Sequence, residues 1–151
     1  MEVLIKKASI SDAKQVASLF NSYRIFYNQT SDENGALEFV TERLSKSEST
    51  VFIAKTRNEE CLGFVQLYPS FSSQFMQRMW ILNDLYVSEN YRMLGIASAL
   101  IQAAKEHASR TKARGLILCT QDSNHQAQAL YKKIGFEPLR DYQWHVLTVN
   151  A

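Results

Sequence analysis

Apolar and polar residues follow strand spacing in some stretches of the chain and helical spacing in others. The segment EVLIKKA (2–8) predicts a first strand. Ser11 or Asp12 is then placed to cap a helix whose apolar residues recur every three or four positions. That helix carries Val16, Leu19, Phe20, Tyr23, Phe26 and Tyr27. After the polar run NQTSDENG, the residues Leu37, Val40 and Leu44 predict a second helix.

The middle of the chain predicts antiparallel strands. TVFIAKT and CLGFVQLYPSF are strand-like and are separated by the polar RNEE, which is typical of a hairpin. MWILNDLYV predicts a third strand of this region. It is long enough to cross a domain.

Strands and helices alternate in the last third of the chain. A helix is predicted through about Arg110, and another over NHQAQALYKKIGF, which Gly135 closes. GLILCT is a short apolar strand of the kind found inside sheets, and QWHVLTV predicts a final strand. The predicted fold class is α/β (α+β), with a mixed, mostly antiparallel twisted sheet of six to seven strands and helices on both faces.

Length and composition narrow the class of protein. A chain of 151 residues suits one domain, here 1–151. Its 17 Lys and Arg against 15 Asp and Glu give a net charge of +2, far from the basic excess of a nucleic-acid binder. Cys61 and Cys119 lie in apolar runs without a CxxC partner, which predicts free thiols and no metal site. We expect a soluble cytoplasmic protein without membrane or nucleic-acid partners.

One stretch carries candidate chemistry. In NYRMLGIASAL (90–100), Arg92 precedes Gly95 by three residues, and small residues follow at the start of a predicted helix. The free amides and the partial positive charge of a helix N-terminus suit a phosphate, and a glycine lets a ligand approach the backbone. The stretch lacks the GK[ST] of a P-loop and the GxGxxG of a dinucleotide site. A plain turn and helix start therefore stays open as the alternative.

Two motifs together resemble a known family. The stretches LYV, YRMLGIASALI and, some thirty residues on, NHQAQALYKKIGF resemble the GNAT superfamily of acyl-CoA-dependent N-acetyltransferases. Arg92, Gly95 and Ala97 fit the cofactor loop of that family. Its later signature is matched by Asn124, Leu130, Tyr131, Gly135 and Phe136. The predicted order of strands and helices also matches the family over nearly the whole chain.

The resemblance implies where acyl-CoA binds. The backbone of Leu85, Tyr86 and Val87 would bond the pantetheine arm. The pyrophosphate would lie on the loop formed by Arg92, Met93, Leu94, Gly95, Ile96, Ala97 and Ser98. Asn124 and Lys133 complete the predicted cofactor contacts. Met93 and Ala97 differ from the commoner residues of the family at their positions.

The reaction of such an enzyme needs two proton transfers. An alkyl ammonium must lose a proton before it attacks a thioester, and the departing thiolate gains from protonation. Matched to the family motif, Tyr131 is the candidate general acid, and its alternative is an amphipathic core tyrosine. ILNDLYV resembles the corresponding strand of the diamine acetyltransferases, with Asn83 in place of a glutamate and Asp84 kept. Because neighbours on a regular strand face opposite ways, only one of these two residues is expected to face the cleft.

Asp84 has two open interpretations. It binds the acceptor cation or relays a proton through water, or else it only bonds nearby backbone. Tyr27, Asn83 and Asp84 are the predicted acceptor-binding residues.

The sequence thus predicts an enzyme that moves an acetyl group from acetyl-CoA to a primary amine by direct attack in a ternary complex. A small amine or diamine is the first expectation for the acceptor, and a protein amine is the second. The alternative function is a non-catalytic acyl-CoA-binding module of the same fold. A homodimer is expected because QWHVLTVNA offers an apolar terminal strand and the family often dimerises.

Overall fold

A computed structural model describes residues 1–150 as two compact units, which divide after Cys119. The elements of the first unit are β1 (Val3–Lys7), α1 (Ala13–Phe26), α2 (Glu33–Ser45), β2 (Thr50–Thr56), β3 (Cys61–Ser72), β4 (Gln77–Val87), α3 (Ile96–Arg110) and β5 (Leu116–Ile117). Short 3-10 turns lie at Ile10–Asp12 and Glu89–Tyr91. The second unit contains α4 (His125–Ile134).

The sheet has the order β1-β2-β3-β4-β5. Its first four strands pair antiparallel, and β5 pairs parallel to β4. The predicted fold class, a mixed and mostly antiparallel sheet with helices on both faces, is confirmed. Over residues 1–150, however, the sheet has five strands rather than six or seven.

The missing strand is the one predicted at the end of the sequence. QWHVLTV (143–149) forms no helix or strand among the described residues. Its apolar alternation gives it strand propensity, but a strand also needs a neighbour that satisfies its backbone N–H and C=O groups. GLILCT is likewise shorter than predicted, since only Leu116–Ile117 pair within it.

The sheet has an apolar layer on each face. Toward α1 and α2, Ile53 and Phe64 pack with Val16 and Val40. Because strand side chains alternate between faces, Phe52 points the other way, and its ring lies 5.6 Å from that of His107 on α3. The core therefore fixes β2 and β3 between two helical layers.

A buried ion pair anchors the start of α1. Asp12 Oδ1 accepts a hydrogen bond of 2.9 Å from Lys55 Nζ, and Lys6 Nζ lies 3.1 Å away. The backbone N–H of Ser9 donates to Asp12 Oδ2 at 2.9 Å. Burial opposes ionisation, but these bonds outweigh it and hold the pKa of Asp12 well below its ordinary value. The predicted helix start at Asp12 is thus tied to β1 and β2.

Candidate active site

A β-bulge in β4 places two candidate residues. Gln66 of β3 pairs with Asp84, but the next residue, Leu67, pairs with Leu82, so Asn83 is an extra residue on β4. Bulges re-aim side chains and are common beside active sites. The expectation that only one of Asn83 and Asp84 faces the cleft assumed a regular strand, and the bulge removes that premise. Asn83 Nδ2 donates to Asp84 Oδ1 at 3.1 Å.

The Asp84 carboxyl is buried in a chain of polar side chains. Only 3% of Asp84 is exposed. Gln66 Nε2 donates to Asp84 Oδ2 at 2.7 Å, and Ser49 Oγ donates to Gln66 Oε1 at 2.9 Å. Burial raises the pKa of Asp84 above its usual value, although hydrogen bonds from Gln66, Tyr23 and Asn83 lower it in part. Burial is the larger effect, so the Asp84 carboxyl accepts a proton more readily than an exposed carboxyl does.

Aromatic rings of α1 lie beside this carboxyl. The hydroxyl of Tyr23 donates to the backbone oxygen of Asn83 at 3.5 Å. The ring centroid of Tyr23 is 4.9 Å from that of Tyr27. Tyr27 is the residue predicted to line the acceptor site. It contacts Tyr23, and Tyr23 in turn contacts Asp84.

Sequence reasoning missed Gln66 and Ser49 as parts of this site. Gln66 interrupts the apolar run FVQLY and is 2% exposed, and such a buried polar residue needs partners. Matching the β3–β4 hairpin register would have set it opposite Asp84. Tyr68 also belongs to this surface, because burial and the nearby Asp84 charge raise its pKa to about 12.

Arg92 connects the loop after β4 to the end of β4 and to α1. Its Nε donates to the backbone oxygen of Val87 at 3.0 Å. Its guanidinium lies 5.5 Å from the ring centroids of both Phe26 and Tyr86. Arg92 Nε thus helps to fix the loop, Nη1 lies 3.9 Å from Glu89 Oε1, and the side chain is one-third exposed.

The loop ends in an open helix N-terminus. Gly95 has φ +80°, a conformation that favours glycine, and a Cβ at this position would meet nothing within 4 Å. The first bond of α3 runs from Ala99 N–H to Gly95 O at 3.0 Å. The amides of residues 96–98 therefore precede the intrahelical bonds of α3. The side chains of Met93 and Leu94 are exposed, while Ile96 is buried.

The edge of β4 beyond the bulge faces a gap in the sheet. Pairing with β5 is confined to Trp80 and Ile81. Among the described residues, β3 is the only strand that pairs with the segment 85–87, and the Val87 oxygen accepts from Arg92 Nε. The unpaired edge and the open amides both fit an extended ligand that ends in phosphates.

In the second unit, α4 carries the remaining predicted residues. Asn124 Oδ1 caps the helix by accepting from Ala127 N–H at 3.2 Å. At the other end, Phe136 N–H donates to Tyr131 O at 2.9 Å, and Gly135 N–H donates to Lys132 O at 3.1 Å. This is a Schellman motif, in which the Tyr131 and Phe136 rings meet at 5.6 Å.

The Schellman motif explains why the closing Gly-Phe of the signature accompanies the tyrosine. Gly135, at φ +111°, permits the turn that brings Phe136 onto the Tyr131 ring. Lys133, also on the last turn of α4, is exposed.

Comparison with known proteins identifies the family. The model of the acetyltransferase (GNAT) family matches residues 15–136, and the chain belongs to that family. An uncharacterized N-acetyltransferase, YhfO of Bacillus subtilis (strain 168), is 44% identical over 97% of this chain and 98% of its own length. A probable acetyltransferase of Haemophilus influenzae is 37% identical over 74% of this chain and 76% of its own. A crystal structure of a probable acetyltransferase matches with a TM-score of 0.91 at 36% identity, covering 100% of this chain and 99% of the other.

Residues 1–150 contain neither a helix of membrane-spanning kind nor a cluster of metal-binding side chains. No helix there is long and apolar enough to span a bilayer. No cluster of three or more His, Cys, Asp or Glu side chains there is arranged to hold a metal ion.

Proposed function

We propose that this protein moves the acetyl group of acetyl-CoA to a primary amine, which attacks the thioester directly in a ternary complex. The observation that carries the proposal is the position of Asp84. This buried carboxyl with a raised pKa sits at a bulge where β4 parts from β5. A proton acceptor thus lies next to the strand edge that suits the acyl-CoA arm.

For acetyl-CoA, we assign contacts to the end of β4 and to the loop that follows it. The backbone of residues 85–87 bonds the pantetheine arm, and the amides of residues 92–98 hold the pyrophosphate. Gly95 supports this assignment because a Cβ at this position would meet nothing within 4 Å. Asn124 and Lys133 are proposed as further contacts.

For the acceptor, we assign Asp84 as the group that binds the ammonium and takes its proton, directly or through water. A raised pKa brings a carboxyl closer to the working pH, which makes it a better general base. Asn83 orients the Asp84 carboxyl through its hydrogen bond to Oδ1. Tyr27 lies next to the site, because its ring packs against that of Tyr23. A small amine or diamine is the first proposed acceptor, and a protein amine is the second.

For the leaving group, we assign Tyr131 as the general acid. Tyrosine is neutral at pH 7 and can donate its proton to a thiolate. The Schellman motif supports this role because it fixes the backbone and the ring of Tyr131. We also propose that residues 1–151 form a single acetyltransferase domain and that the protein is a homodimer.

A module that binds acyl-CoA without turnover is the second candidate. Asn83 favours it, because an amide cannot take a proton at neutral pH. Asp84 supports the enzyme instead, since a buried ionisable group is costly to keep in a binding module.

Release of free thiol from acetyl-CoA across a panel of amines tests the proposal. We expect release that depends on the amine and is fastest for small diamines. Background thiol release with every amine, alongside measurable acetyl-CoA binding, would support the binding module instead.

A further inference from the structure

A cavity of about 440 Å³ lies between β1, β2 and α3. Ile5, Phe52 and Ala103 give it apolar walls, while Lys7 and Arg110 line it with two positive charges. The residues that line it all belong to the first unit. Its volume is typical of a small-molecule site, and such sites combine apolar walls with a few polar groups. The acyl-CoA and acceptor contacts proposed above share no residue with it.

The periodicity of β1 and α3 brings these side chains together. Ile5 and Lys7 are two residues apart on β1, so they share one face of the sheet. On α3, Ala103 follows Ala99 by four residues and Arg110 follows Ala103 by seven. These intervals set all three on one side of the helix. The alanines are small, so space remains beside α3, and Lys7 and Arg110 line this space from β1 and from α3.

Lys7 and Arg110 carry uncompensated charges. Over residues 1–150, neither side chain forms an ion pair or a hydrogen bond. Glu106 also lines the cavity, but its Oε1 accepts a hydrogen bond from Gln102 Nε2 at 3.1 Å. Lys6 differs from Lys7, since the ion pair at the start of α1 uses its charge. Because like charges repel each other, two unpaired cations beside one cavity suit an anion.

The buried imidazole of His107 lies near both cations. His107 is 8% exposed, and its ring lies 5.6 Å from that of Phe52 and 4.7 Å from that of Trp80. Its Nε2 has no hydrogen-bond partner in residues 1–150. Burial, and then the charges of Lys7 and Arg110, lower the pKa of His107. Both cations therefore act on the same small region of the protein, and His107 reports on their charge.

We propose that this cavity binds a small organic anion, with its carboxylate or phosphate held by Lys7 and Arg110 and its apolar body against Phe52. A guanidinium suits either anionic group, because its N–H donors match two oxygens at once. The apolar walls favour an anion with an aromatic or aliphatic body over inorganic phosphate. The site goes beyond the acetyl transfer proposed above and does not depend on it.

The first test is an NMR titration of the ¹⁵N-labelled full-length chain with benzoate and with phenyl phosphate, which separates the two anionic groups. We expect saturable amide shifts at residues 5–7 and 99–110, with a dissociation constant on the order of 1 mM. Benzamide has the shape of benzoate without its charge and should bind about tenfold more weakly or worse. Inorganic phosphate has the charge without the apolar body and should bind more weakly than phenyl phosphate.

Two variants and a matched control locate the anion. Lys7→Gln and Arg110→Gln should each weaken benzoate binding about tenfold. Lys105→Gln removes the same charge from an exposed position of α3 outside the cavity, and should leave binding unchanged. Circular dichroism checks that each variant is folded. The comparison of benzoate with benzamide needs no variant, so the proposal is tested even where a variant fails to fold.

The imidazole of His107 gives a second readout. A bound anion offsets the charges of Lys7 and Arg110, so saturating benzoate should raise the pKa of His107 in an NMR titration. The rise should be smaller in Lys7→Gln, because less positive charge is left to offset. A ligand that only filled the apolar part of the cavity would not produce this charge-dependent rise.

Three results would overturn the proposal. The first is the absence of saturable shifts for either anion at about ten times the expected dissociation constant. The second is equal binding of benzoate and benzamide, which would mean that the cations take no part. The third is displacement of benzoate by saturating coenzyme A, which would assign the two cations to the phosphates of the cofactor. We expect benzoate to bind equally well with and without coenzyme A.

Discussion

Gln66 and Asp84, 18 residues apart in the sequence, face each other across β3 and β4, and Gln66 Nε2 donates to Asp84 Oδ2 at 2.7 Å. Both side chains are almost completely buried. The bond stabilises the ionised carboxyl in a site where burial favours the neutral one. Gln66 therefore controls how readily Asp84 takes a proton, and we assign it as a positioning residue.

Replacing Gln66 tests that control. Gln66→Leu removes the donor and fills a similar volume, so the pKa of Asp84 should rise further. The acidic limb of the kcat/KM profile for the amine should then move to higher pH. Ser49→Ala, which touches Asp84 only through Gln66, is the matched control and should move the limb less. A limb that stays in place in Gln66→Leu would contradict the assignment.

Replacing Asp84 tests the acceptor site. Asp84→Asn keeps the shape of the side chain and removes the charge and the basic oxygen. The Michaelis constant for a cationic amine should rise far more than that for acetyl-CoA, and the acidic limb should disappear. The pKa of Asp84 is raised in the folded state, so the native state binds the proton more tightly, and ionisation costs stability as the pH rises through that pKa. Thermal melts of both proteins across pH check this sign, and an effect on stability alone would mean that Asp84 is structural.

Gly95 tests the phosphate site. Gly95→Val should weaken coenzyme A binding, because its side chain enters the open space above the loop. At φ +80° any side chain also strains the backbone by about 1–2 kcal/mol. Gly95→Ala carries that strain with a smaller side chain and is the control. Calorimetry should rank affinity as wild type, then Ala, then Val. Equal affinities in folded proteins would place the pyrophosphate elsewhere.

Tyr131 tests the proton donor. Tyr131→Phe keeps the ring contact with Phe136 and removes only the hydroxyl. If that hydroxyl protonates the thiolate, turnover should fall by roughly 10²–10⁴ while acetyl-CoA affinity changes little. Tyr142→Phe, at an exposed tyrosine of the second unit, should leave turnover unchanged. If turnover is unchanged in Tyr131→Phe under conditions where chemistry limits the rate, Tyr131 is not the general acid and its side chain only packs.

Local sequence predicted the features that depend on neighbours along the chain. The apolar spacing predicted α1 and the β2–β3 hairpin, and α3 begins directly after Gly95 as expected. The bulge at Asn83 was not predictable in this way, because it is a mismatch between two strands. The final strand was predicted wrongly for a related reason, since QWHVLTV has strand propensity but no partner among residues 1–150.

The most direct test of the central claim follows the acetyl group itself. Acetyl-CoA labelled with ¹³C in its acetyl group is incubated with the protein and a small diamine. The amine and the protein are then analysed by mass spectrometry. We predict a labelled, singly acetylated amine that forms over many turnovers, and a protein that carries no label, because the amine attacks directly. An amine that stays unlabelled across the panel, while the protein binds acetyl-CoA, would contradict the claim.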